Sequence, residues 1–479
     1  MSLVDLHVTL PVGPGRRRVI YEYLRDAVLE GYLRPGERLP ASRELASRLE
    51  VSRATVLSAY DQLAGEGFVD TRLGAGTYVA ELRAPQRRPP RSAAGQAAAL
   101  CPGPAWEAIP VPTAFDRPAE FDFRTGLPDA SLFPLATWRR HTSRALTAGE
   151  ASIGVYAEPE GDPRLREAIG RHVALSRGVV AGPGSVIVTN GTQQAIDLVA
   201  RVLAAPGDHV AVEDPGYEPV RRLFQSLGLR VTGVAVDRHG IVVEQIPPDA
   251  KLVYVTPSHQ YPLGVVLSLQ RRLALLDWAR QAGAAVIEDD YDSEYRFGAR
   301  PIDPLQTLDA HGRVIYVGSF SKTMLPTLRL GFLIAPPALR AALAAAKYVT
   351  DWHTALPIQN AMASFIDEGD FARHIRKMRS VYGHRHRLIT TAISGAFGGH
   401  LEPVTSTVGI HIAAFAPRAT AHDIDHLAEQ ASQRGVGIQR LASFAVTRPP
   451  MPGLVIGYGA IPTDRIPEGL HRLRNCFPP

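Results

Sequence analysis

A lysine, an arginine and two serines stand close together in residues 318–331, which read GSFSKTMLPTLRLG. The apolar run VIYV precedes this segment and predicts a buried strand whose carboxyl end carries the polar side chains. A lysine amine forms an imine with an aldehyde, and hydroxyl and guanidinium groups bind phosphate. We therefore predict that Lys322 bonds to pyridoxal 5'-phosphate and that its phosphate is held by Ser319, Ser321 and Arg329. A solvated lysine in a polar loop is the alternative.

Polar clusters also end the other apolar runs in this part of the chain. Asp289 and Tyr291 follow AAVI, Tyr217 follows HVAV, and His259 follows LVYV. The run SVIVT leads into Asn-Gly-Thr-Gln-Gln, where a long helix is predicted to begin with N–H groups suited to phosphate. Apolar runs alternate with helical patterns, which predicts an α/β architecture whose site lies at the carboxyl ends of parallel strands. A plain strand-to-helix turn is the alternative for the glycine-threonine segment.

The first eighty residues have a different pattern. Apolar residues at helical spacing predict a helix over 17–31, a second over 39–49 and a third over 53–63. Ser42 and Ser52 are predicted to cap the second and third helices. Two short runs around Gly74-Ala75-Gly76 then predict a β-hairpin, so the segment is typical of a winged helix-turn-helix.

These residues resemble the winged helix-turn-helix domain of the GntR family, through Leu-Pro-x-Ser-Arg-x-Leu-Ala followed by Val-Ser-Arg-x-Thr-Val. The resemblance implies a DNA-binding domain over 14–82. It places Gly76 at the wing tip, near the minor groove, and turns four further residues toward DNA: Arg43, Ser52, Arg53 and Thr55. Ten arginines balance ten carboxylates in this range, so a basic face must arise from placement. A small helical interaction domain is the alternative.

Residues 83–120 are rich in proline, alanine and arginine and show no sustained periodicity. This composition predicts a linker. A coil of this length spans roughly 30 to 36 Å, which would let the first domain reach another subunit.

From residue 121 to 479 the chain resembles the fold-type-I aminotransferases. An aspartate at a strand end is followed by Tyr291 two residues later, and the lysine of Ser-x-Ser-Lys lies 33 residues beyond the aspartate. The resemblance implies a mostly parallel sheet and a small C-terminal α/β subdomain over roughly 350–479. It implies that Lys322 carries the internal aldimine, Asp289 pairs with the pyridine nitrogen, Tyr291 bonds the ring's 3-oxygen, and Tyr217 flanks the ring. Further phosphate contacts would come from Gly191, Thr192 and Gln193.

Two motifs depart from the aminotransferase pattern. Where those enzymes have Asn-Pro-x-Asn-Pro-Thr-Gly, this chain has TPSHQYPLG, so His259 or Gln260 would replace the asparagine that touches the cofactor. The last strand, LVIGYG, lacks the arginine that binds a substrate carboxylate. Arg440 and Arg221 are candidates for that role, and an exposed arginine is the alternative for each.

The whole chain resembles the MocR/GabR subfamily of GntR regulators. That resemblance implies a head-to-tail homodimer, a double-stranded DNA operator, and an effector that is pyridoxal phosphate or an amine reacting with it. The regulated operon would serve vitamin B6 or amino-acid metabolism. An active aminotransferase with an appended DNA-binding domain is the second hypothesis, and a cofactor-free dimerisation scaffold is the third.

Composition narrows the class of protein. The chain has 479 residues, 45% of them hydrophobic, with a formal net charge of +5 and only two cysteines, at positions 101 and 476. A disulfide framework or a cysteine-rich metal site is therefore not expected. The N-terminus lacks a signal-peptide pattern, and no apolar run approaches the ~20 residues of a membrane helix. We expect a cytoplasmic protein.

Overall fold

The computed structural model describes residues 15–72, 75–81, 101–107, 109–110, 119–148, 154–182, 184–298, 303–447 and 451–478. The chain divides into two compact units, Met1–Cys101 and Pro102–Pro479. Among the described helices, none is long and apolar enough to cross a membrane.

Helices and a hairpin form the described part of the first unit. They are α1 Arg16–Leu29, α2 Ser42–Arg48, α3 Arg53–Gly65, β1 Val69–Arg72 and β2 Gly76–Val79. Helix α1 buries Ile20, Leu24 and Val28, which recur at four-residue spacing and so share one face of the helix. That face packs with buried side chains of α3 and of the hairpin, and the unit therefore has its own core. The predicted helix-turn-helix with a wing is confirmed.

Local details of this unit differ from the sequence prediction. Ser52 caps α3, since its Oγ accepts from the N–H of Thr55 at 3.1 Å. The predicted cap at Ser42 is wrong, because α2 begins at Ser42 itself and Ala41 is the N-cap residue. Gly76 opens strand β2 opposite Arg72. Residues 73–74 at the predicted wing tip lie outside the described residues.

The predicted linker, 83–120, contains the division between the two units. Residues 82–100, 108 and 111–118 lie outside the described residues. A one-turn helix, α4 Pro104–Glu107, lies within the predicted linker range. The linker boundaries remain a prediction.

The second unit surrounds its sheets with helices. The longer ones are α5 Leu135–Ala148, α6 Pro163–Arg177, α7 Thr192–Leu203, α8 Glu218–Ser226, α9 Leu269–Ala282, α11 Arg340–Asp351, α12 Leu356–Asp367, α13 Asp370–Ala396, α14 Ala421–Gln433 and α15 Ile466–Arg474. The short helix α10 Leu305–Leu308 lies between α9 and α11. Strand β3 is Phe121–Asp122.

Eight strands form the main sheet: β4 Val186–Thr189, β5 His209–Asp214, β6 Arg230–Asp237, β7 Gly240–Ile241, β8 Ala250–Val255, β9 Ala285–Asp290, β10 Val314–Ser319 and β11 Gly331–Ile334. Their order in the sheet is β4-β11-β10-β9-β8-β5-β6-β7. Strands β10, β9, β8, β5 and β6 pair in parallel, whereas β11 and β7 pair antiparallel with their neighbours. The mostly parallel α/β fold is thus confirmed.

The central strands are buried along almost their whole length because helices cover both faces of the sheet. Two strands run further than their apolar residues indicated. Asp289 lies inside β9, and Ser319 is the last residue of β10. Register pairs Asp289 with Val317, so the carboxylate stands one strand away from the turn that carries Lys322.

A second, antiparallel sheet lies in the C-terminal part of the chain. Its strands are β12 Glu402–Pro403, β13 His411–Phe415, β15 Gln439–Arg440 and β16 Gly453–Gly457, in the order β12-β13-β16-β15. Strand β14 Val436–Gly437 pairs in parallel with β3, so the beginning and the end of the unit meet. The helix α13 leads from the main sheet into this smaller one.

Candidate functional site

A pocket of about 370 Å³ opens at the carboxyl ends of the parallel strands. The turns after β10 and β9, the loop after β8, the start of α7 and strand β15 bring side chains to it. Its lining contains Thr125, Gly126, Thr192, Gln193, Tyr217, Tyr254, Thr256, Tyr261, Asp289, Tyr291, Ser319, Ser321, Lys322, Pro326, Arg329, Ile410, His411 and Gln439. Most residues that the sequence predicted for the cofactor therefore face one cavity.

Lys322 extends from the turn after β10 into this pocket. Its Nζ donates a hydrogen bond to the main-chain oxygen of Gly126 at 2.6 Å. Gly126 has φ +80°, and a Cβ at that position would lie 3.3 Å from the amine. Burial lowers the pKa of Lys322. A lysine with a lowered pKa has a larger unprotonated fraction, which is the form that attacks an aldehyde.

Asp289 is the buried carboxyl group of the pocket. Its Oδ2 accepts a hydrogen bond from the Tyr254 hydroxyl at 2.7 Å. Its Oδ1 is buried and has no hydrogen-bond partner among the described residues. Burial raises the pKa of this group to about 7, and the charge of Lys322 opposes the rise. An unpartnered carboxylate oxygen of this kind fits the protonated ring nitrogen of pyridoxal phosphate, which would supply its missing partner.

Hydroxyl groups and a guanidinium gather where the predicted phosphate would lie. The Ser319 Oγ accepts from the N–H of Ser321 at 3.0 Å, which shapes the turn after β10. Arg329 donates from Nη2 to the main-chain oxygen of Asn190 at 2.8 Å. Gly191 has φ +83°, and a Cβ there would lie 2.8 Å from Arg329 Nη2, so only glycine allows this approach. The first turn of α7 begins at the next residue and presents backbone N–H groups to the same region.

A neutral hydrogen-bonded wall forms another side of the pocket. The Tyr261 hydroxyl lies 2.7 Å from the Thr125 hydroxyl. Thr125 in turn donates from both its N–H and its hydroxyl to Gln439 Oε1, at 2.8 and 2.7 Å. Tyr217 packs edge-on against Tyr261, with ring centroids 5.6 Å apart.

Sequence reasoning missed Tyr261 and Gln439. Tyr261-Pro262-Leu263-Gly264 matches the end of the motif Asn-Pro-Thr-Gly, so the tyrosine stands at the asparagine position. That spacing could have identified Tyr261, whereas nothing in the sequence distinguishes Gln439 from its neighbour in strand β15.

Five residues predicted for the site do not line the pocket: Gly191, Arg221, His259, Gln260 and Arg440. Arg440 forms an ion pair with Asp425 on the surface. Arg221 lies 3.4 Å from Glu218 within helix α8. His259 is buried next to Tyr291, whose hydroxyl donates to the His259 main-chain oxygen at 2.9 Å. The structure therefore does not bring the two arginines to the cofactor pocket, and it puts His259 behind a lining residue.

The predicted DNA-contacting residues of the first unit stand on one exposed region. Arg43, Ser52 and Arg53 are exposed and Thr55 is half-buried. Arg53 Nε donates to the Ser42 hydroxyl at 3.3 Å, which joins the start of α3 to the start of α2. Other arginines of the unit are neutralised by carboxylates, in the pairs Arg18–Glu22, Arg25–Asp26 and Arg48–Glu44. Arg43 and Arg53 take part in none of the ion pairs found among the described residues.

Comparison with known proteins agrees with the division of the chain into two units. Residues 16–79 match the model of bacterial regulatory proteins of the gntR family, and residues 124–451 match aminotransferase class I and II. The probable rhizopine catabolism regulatory protein MocR of Rhizobium meliloti is 36% identical over 100% of this chain and 96% of its own length. The HTH-type pyridoxine biosynthesis transcriptional regulator PdxR of Corynebacterium glutamicum is 32% identical over 93% of this chain and 92% of its own.

Among solved structures, Pyrococcus horikoshii kynurenine aminotransferase in complex with PMP is similar, with a TM-score of 0.67 and 27% identity. The likeness covers 74% of this chain and 89% of that one. A winged helix-turn-helix joined to an aminotransferase fold defines the class. The chain belongs to the MocR-type transcription regulators of the GntR family.

Proposed function

We propose that this regulator binds pyridoxal 5'-phosphate through an imine at Lys322 and responds either to that cofactor or to an amine that reacts with it. Arg43, Ser52, Arg53 and Thr55 of the helix-turn-helix contact a double-stranded DNA operator in this proposal. The protein acts as a head-to-tail homodimer and controls an operon of vitamin B6 or amino-acid metabolism.

The observation that carries the proposal is the pairing of Lys322 with Asp289 in one pocket. Asp289 keeps one buried oxygen without a partner among the described residues, and the lysine amine lies in the same cavity. Ser319, Thr192 and Arg329 supply hydroxyl and guanidinium groups for a phosphate. When bound, pyridoxal phosphate supplies an aldehyde that reacts with amines.

Three further residues at or beside the pocket would orient the cofactor. Tyr291 would bond the ring's 3-oxygen through its hydroxyl, and Tyr217 would flank the ring. Because Gly191 has no side chain, Arg329 lies close to the main chain there, and both would contact the phosphate. Effector binding would then alter the DNA-bound state only if it favours one conformation of the protein over another.

Visible absorption of the purified full-length protein tests the cofactor half. Titration with pyridoxal 5'-phosphate should give a protein-bound imine band in the wild type and none in Lys322→Ala. Lys377→Ala, which removes an exposed lysine, should behave as the wild type. A wild type without the band, or a band that survives in Lys322→Ala, would refute the proposal.

Selection from a pool of random double-stranded sequences tests the DNA half. The full-length protein should enrich a defined sequence, and its affinity for that sequence should change with cofactor or with one amine. Equal affinity for all sequences would refute operator recognition.

An aminotransferase with an appended DNA-binding domain is the second candidate, because Lys322 and Asp289 both face the pocket. Steady turnover of an amino donor and a keto-acid acceptor would establish it. A regulator should instead stop after a single partial reaction. Arg440 and Arg221 stand away from the pocket, so a carboxylate substrate has no arginine partner there among the described residues other than Arg329 at the phosphate end.

A further inference from the structure

A buried lysine on helix α11 is tied to the turn that precedes α7. Lys347 is 0% exposed, and its Nζ donates to Asp351 Oδ1 at 2.6 Å and to Gln194 Oε1 at 3.0 Å. Asp351 Oδ2 accepts from Gln194 Nε2 at 2.7 Å and from Asn190 Nδ2 at 2.5 Å. Gln194 Oε1 also accepts from the main-chain N–H of Asn190 at 2.8 Å. The network therefore holds both the main chain and the side chain of Asn190.

The partners of the Gln194 amide define its orientation. A main-chain N–H and an ammonium group can only donate, so the atom that they share must be the amide oxygen. The amide nitrogen then faces the Asp351 carboxylate, which can only accept. Each hydrogen bond of the network thus has one consistent assignment of donor and acceptor. A network matched in this way has a single arrangement, which makes it a rigid support for the turn.

Asn190 connects this network to the phosphate end of the pocket. Its main-chain oxygen accepts from Arg329 Nη2 at 2.8 Å. Thr192, two residues further along the chain, begins α7 and lines the pocket, as Arg329 does. Lys347 and Asp351 lie outside the described lining of that pocket. A displacement of Asn190 would therefore disturb the guanidinium and the first turn of α7 together.

We propose that Lys347 and Asp351 are positioning residues for the cofactor's phosphate group: they fix Asn190, and Asn190 fixes Arg329 and the first turn of α7. The inference rests on the proposed function and deepens it, since it assigns the residues that hold the phosphate end in place. Groups that bind a ligand do so best when their positions are fixed before the ligand arrives. Loss of the network should weaken binding of the phosphate more than reaction of the aldehyde with Lys322.

The test compares pyridoxal 5'-phosphate with pyridoxal, which has the same ring and aldehyde but no phosphate. Titration of the imine absorbance gives the dissociation constant of each compound for the full-length protein. The constant for pyridoxal divided by that for pyridoxal 5'-phosphate measures the contribution of the phosphate, so a general loss of Lys322 reactivity cancels. In Asp351→Ala this ratio should fall by about tenfold. A ratio equal to that of the wild type would overturn the inference.

Asp197→Ala is the matched control. Asp197 lies on α7 and forms an ion pair with Arg201, four residues away, at 2.8 Å. The spacing is that of Lys347 and Asp351, but Asp197 neither belongs to the network nor lines the pocket. Its ratio should equal that of the wild type. An equal fall in both variants would count against the inference, because the loss of any ion pair on these helices would then suffice.

Asn190→Ala covers the case in which Asp351→Ala does not fold. It removes the amide that Asp351 holds and leaves the ion pair with Lys347 in place. The ratio should fall here too, by less than in Asp351→Ala. Where both variants fold, the double variant should equal Asp351→Ala alone, because the amide has already lost its partner. A wild-type ratio in Asn190→Ala, or a full further fall in the double variant, would contradict the proposed route through Asn190.

Inorganic phosphate separates this inference from the proposed function. Its binding to cofactor-free protein, followed by broadening of its phosphorus resonance, requires no imine. It should weaken by about the same factor in Asp351→Ala and stay unchanged in Asp197→Ala. A wild type without an imine band that shows this weakening would refute the proposed function and support the inference. An imine band with equal ratios in all variants would do the reverse, and a wild type that binds neither compound nor phosphate would refute both.

Discussion

The two units of this chain place their functional side chains in opposite environments. In the first unit Arg43, Ser52 and Arg53 are exposed and come from one short segment. In the second, Asp289 is buried and Lys322 is half-buried in a pocket that also contains residues from both ends of the unit. Exposed side chains on a small core can be read from a local pattern, whereas a buried site depends on contacts between distant segments.

Three buried carboxyl groups of the second unit contrast with an exposed carboxyl group of the first. In the first unit a hydrogen bond from the Tyr21 hydroxyl lowers the pKa of Glu66. In the second unit burial raises the pKa of Glu213, Glu288 and Asp289 to about 7. A carboxyl group whose pKa is lower in the folded state than in the unfolded state stabilises the fold at pH values above its unfolded pKa. This contribution is lost as pH falls through the folded pKa. A carboxyl group with a raised pKa has the opposite effect on stability. The folded state keeps its proton to a higher pH than the unfolded state does, so stability falls as pH rises.

The largest expected effect comes from the buried anion of the site. Asp289→Asn removes the partner of the cofactor's ring nitrogen, and breaking a buried charge pair costs about 3 to 5 kcal/mol. We expect the affinity for pyridoxal 5'-phosphate to fall by at least about a hundredfold in an absorbance titration. Asp277→Asn, which changes an exposed carboxyl on α9, should bind as the wild type does. Equal affinities in both variants would show that burial gives Asp289 no special role.

A smaller effect is expected on the pH dependence of the second unit. The pKa of Glu213 is raised from its ordinary value to about 7 by burial. Between about pH 4.5 and 7 the folded state therefore binds more protons than the unfolded state, and stability falls as pH rises. Glu213→Gln should reduce the loss of unfolding free energy between pH 5 and pH 8 by up to about 3 kcal/mol.

Tryptophan fluorescence can measure this change in the intact cofactor-free chain during urea unfolding. All four tryptophans lie after residue 101, so their signal reports the second unit. Two results would contradict the assignment of a raised pKa to this group. One is a wild-type free energy of unfolding that does not change between pH 5 and pH 8, and the other is the same slope of that free energy against pH in Glu213→Gln as in the wild type.

A third prediction concerns the exposed arginine at the start of α3. Arg53→Ala should weaken binding to the selected operator by about 1 to 3 kcal/mol if the guanidinium pairs with a base. Arg48→Ala is the control, since Arg48 is exposed but paired with Glu44 at 2.8 Å. Both variants should keep the wild-type visible band. A loss that is equal for all DNA sequences would assign Arg53 to the phosphate backbone instead.

The smallest expected effect lies in the core of the first unit. The buried Tyr60 hydroxyl donates to the main-chain oxygen of Pro40 at 2.9 Å. Tyr60→Phe leaves that oxygen without its partner and should cost about 1 kcal/mol. Hydrogen exchange of peptides from residues 15–81 measures this change, and Tyr32→Phe, at an exposed position, should leave exchange as it is in the wild type. Faster exchange in the second unit as well would show that the two cores are coupled.

The sequence by itself determined the helix-turn-helix, the alternation of strands and helices, and the lysine and aspartate of the pocket. Each of these depends on local periodicity or on the place of a polar residue at the end of an apolar run. The ends of β9 and β10 were harder to predict from the sequence, because Asp289 and Ser319 are polar residues that extend buried strands.

Only the tertiary structure decided which side chains complete the site. Neighbouring residues of a strand point to opposite faces, so in β15 the pocket receives Gln439 while Arg440 turns to Asp425. Gln439 contacts Thr125 across 314 residues of sequence, a pairing that no local pattern encodes. The packing around His259 likewise sets it behind Tyr291. Long-range strand register and burial, rather than residue type, determine which of these side chains line the pocket.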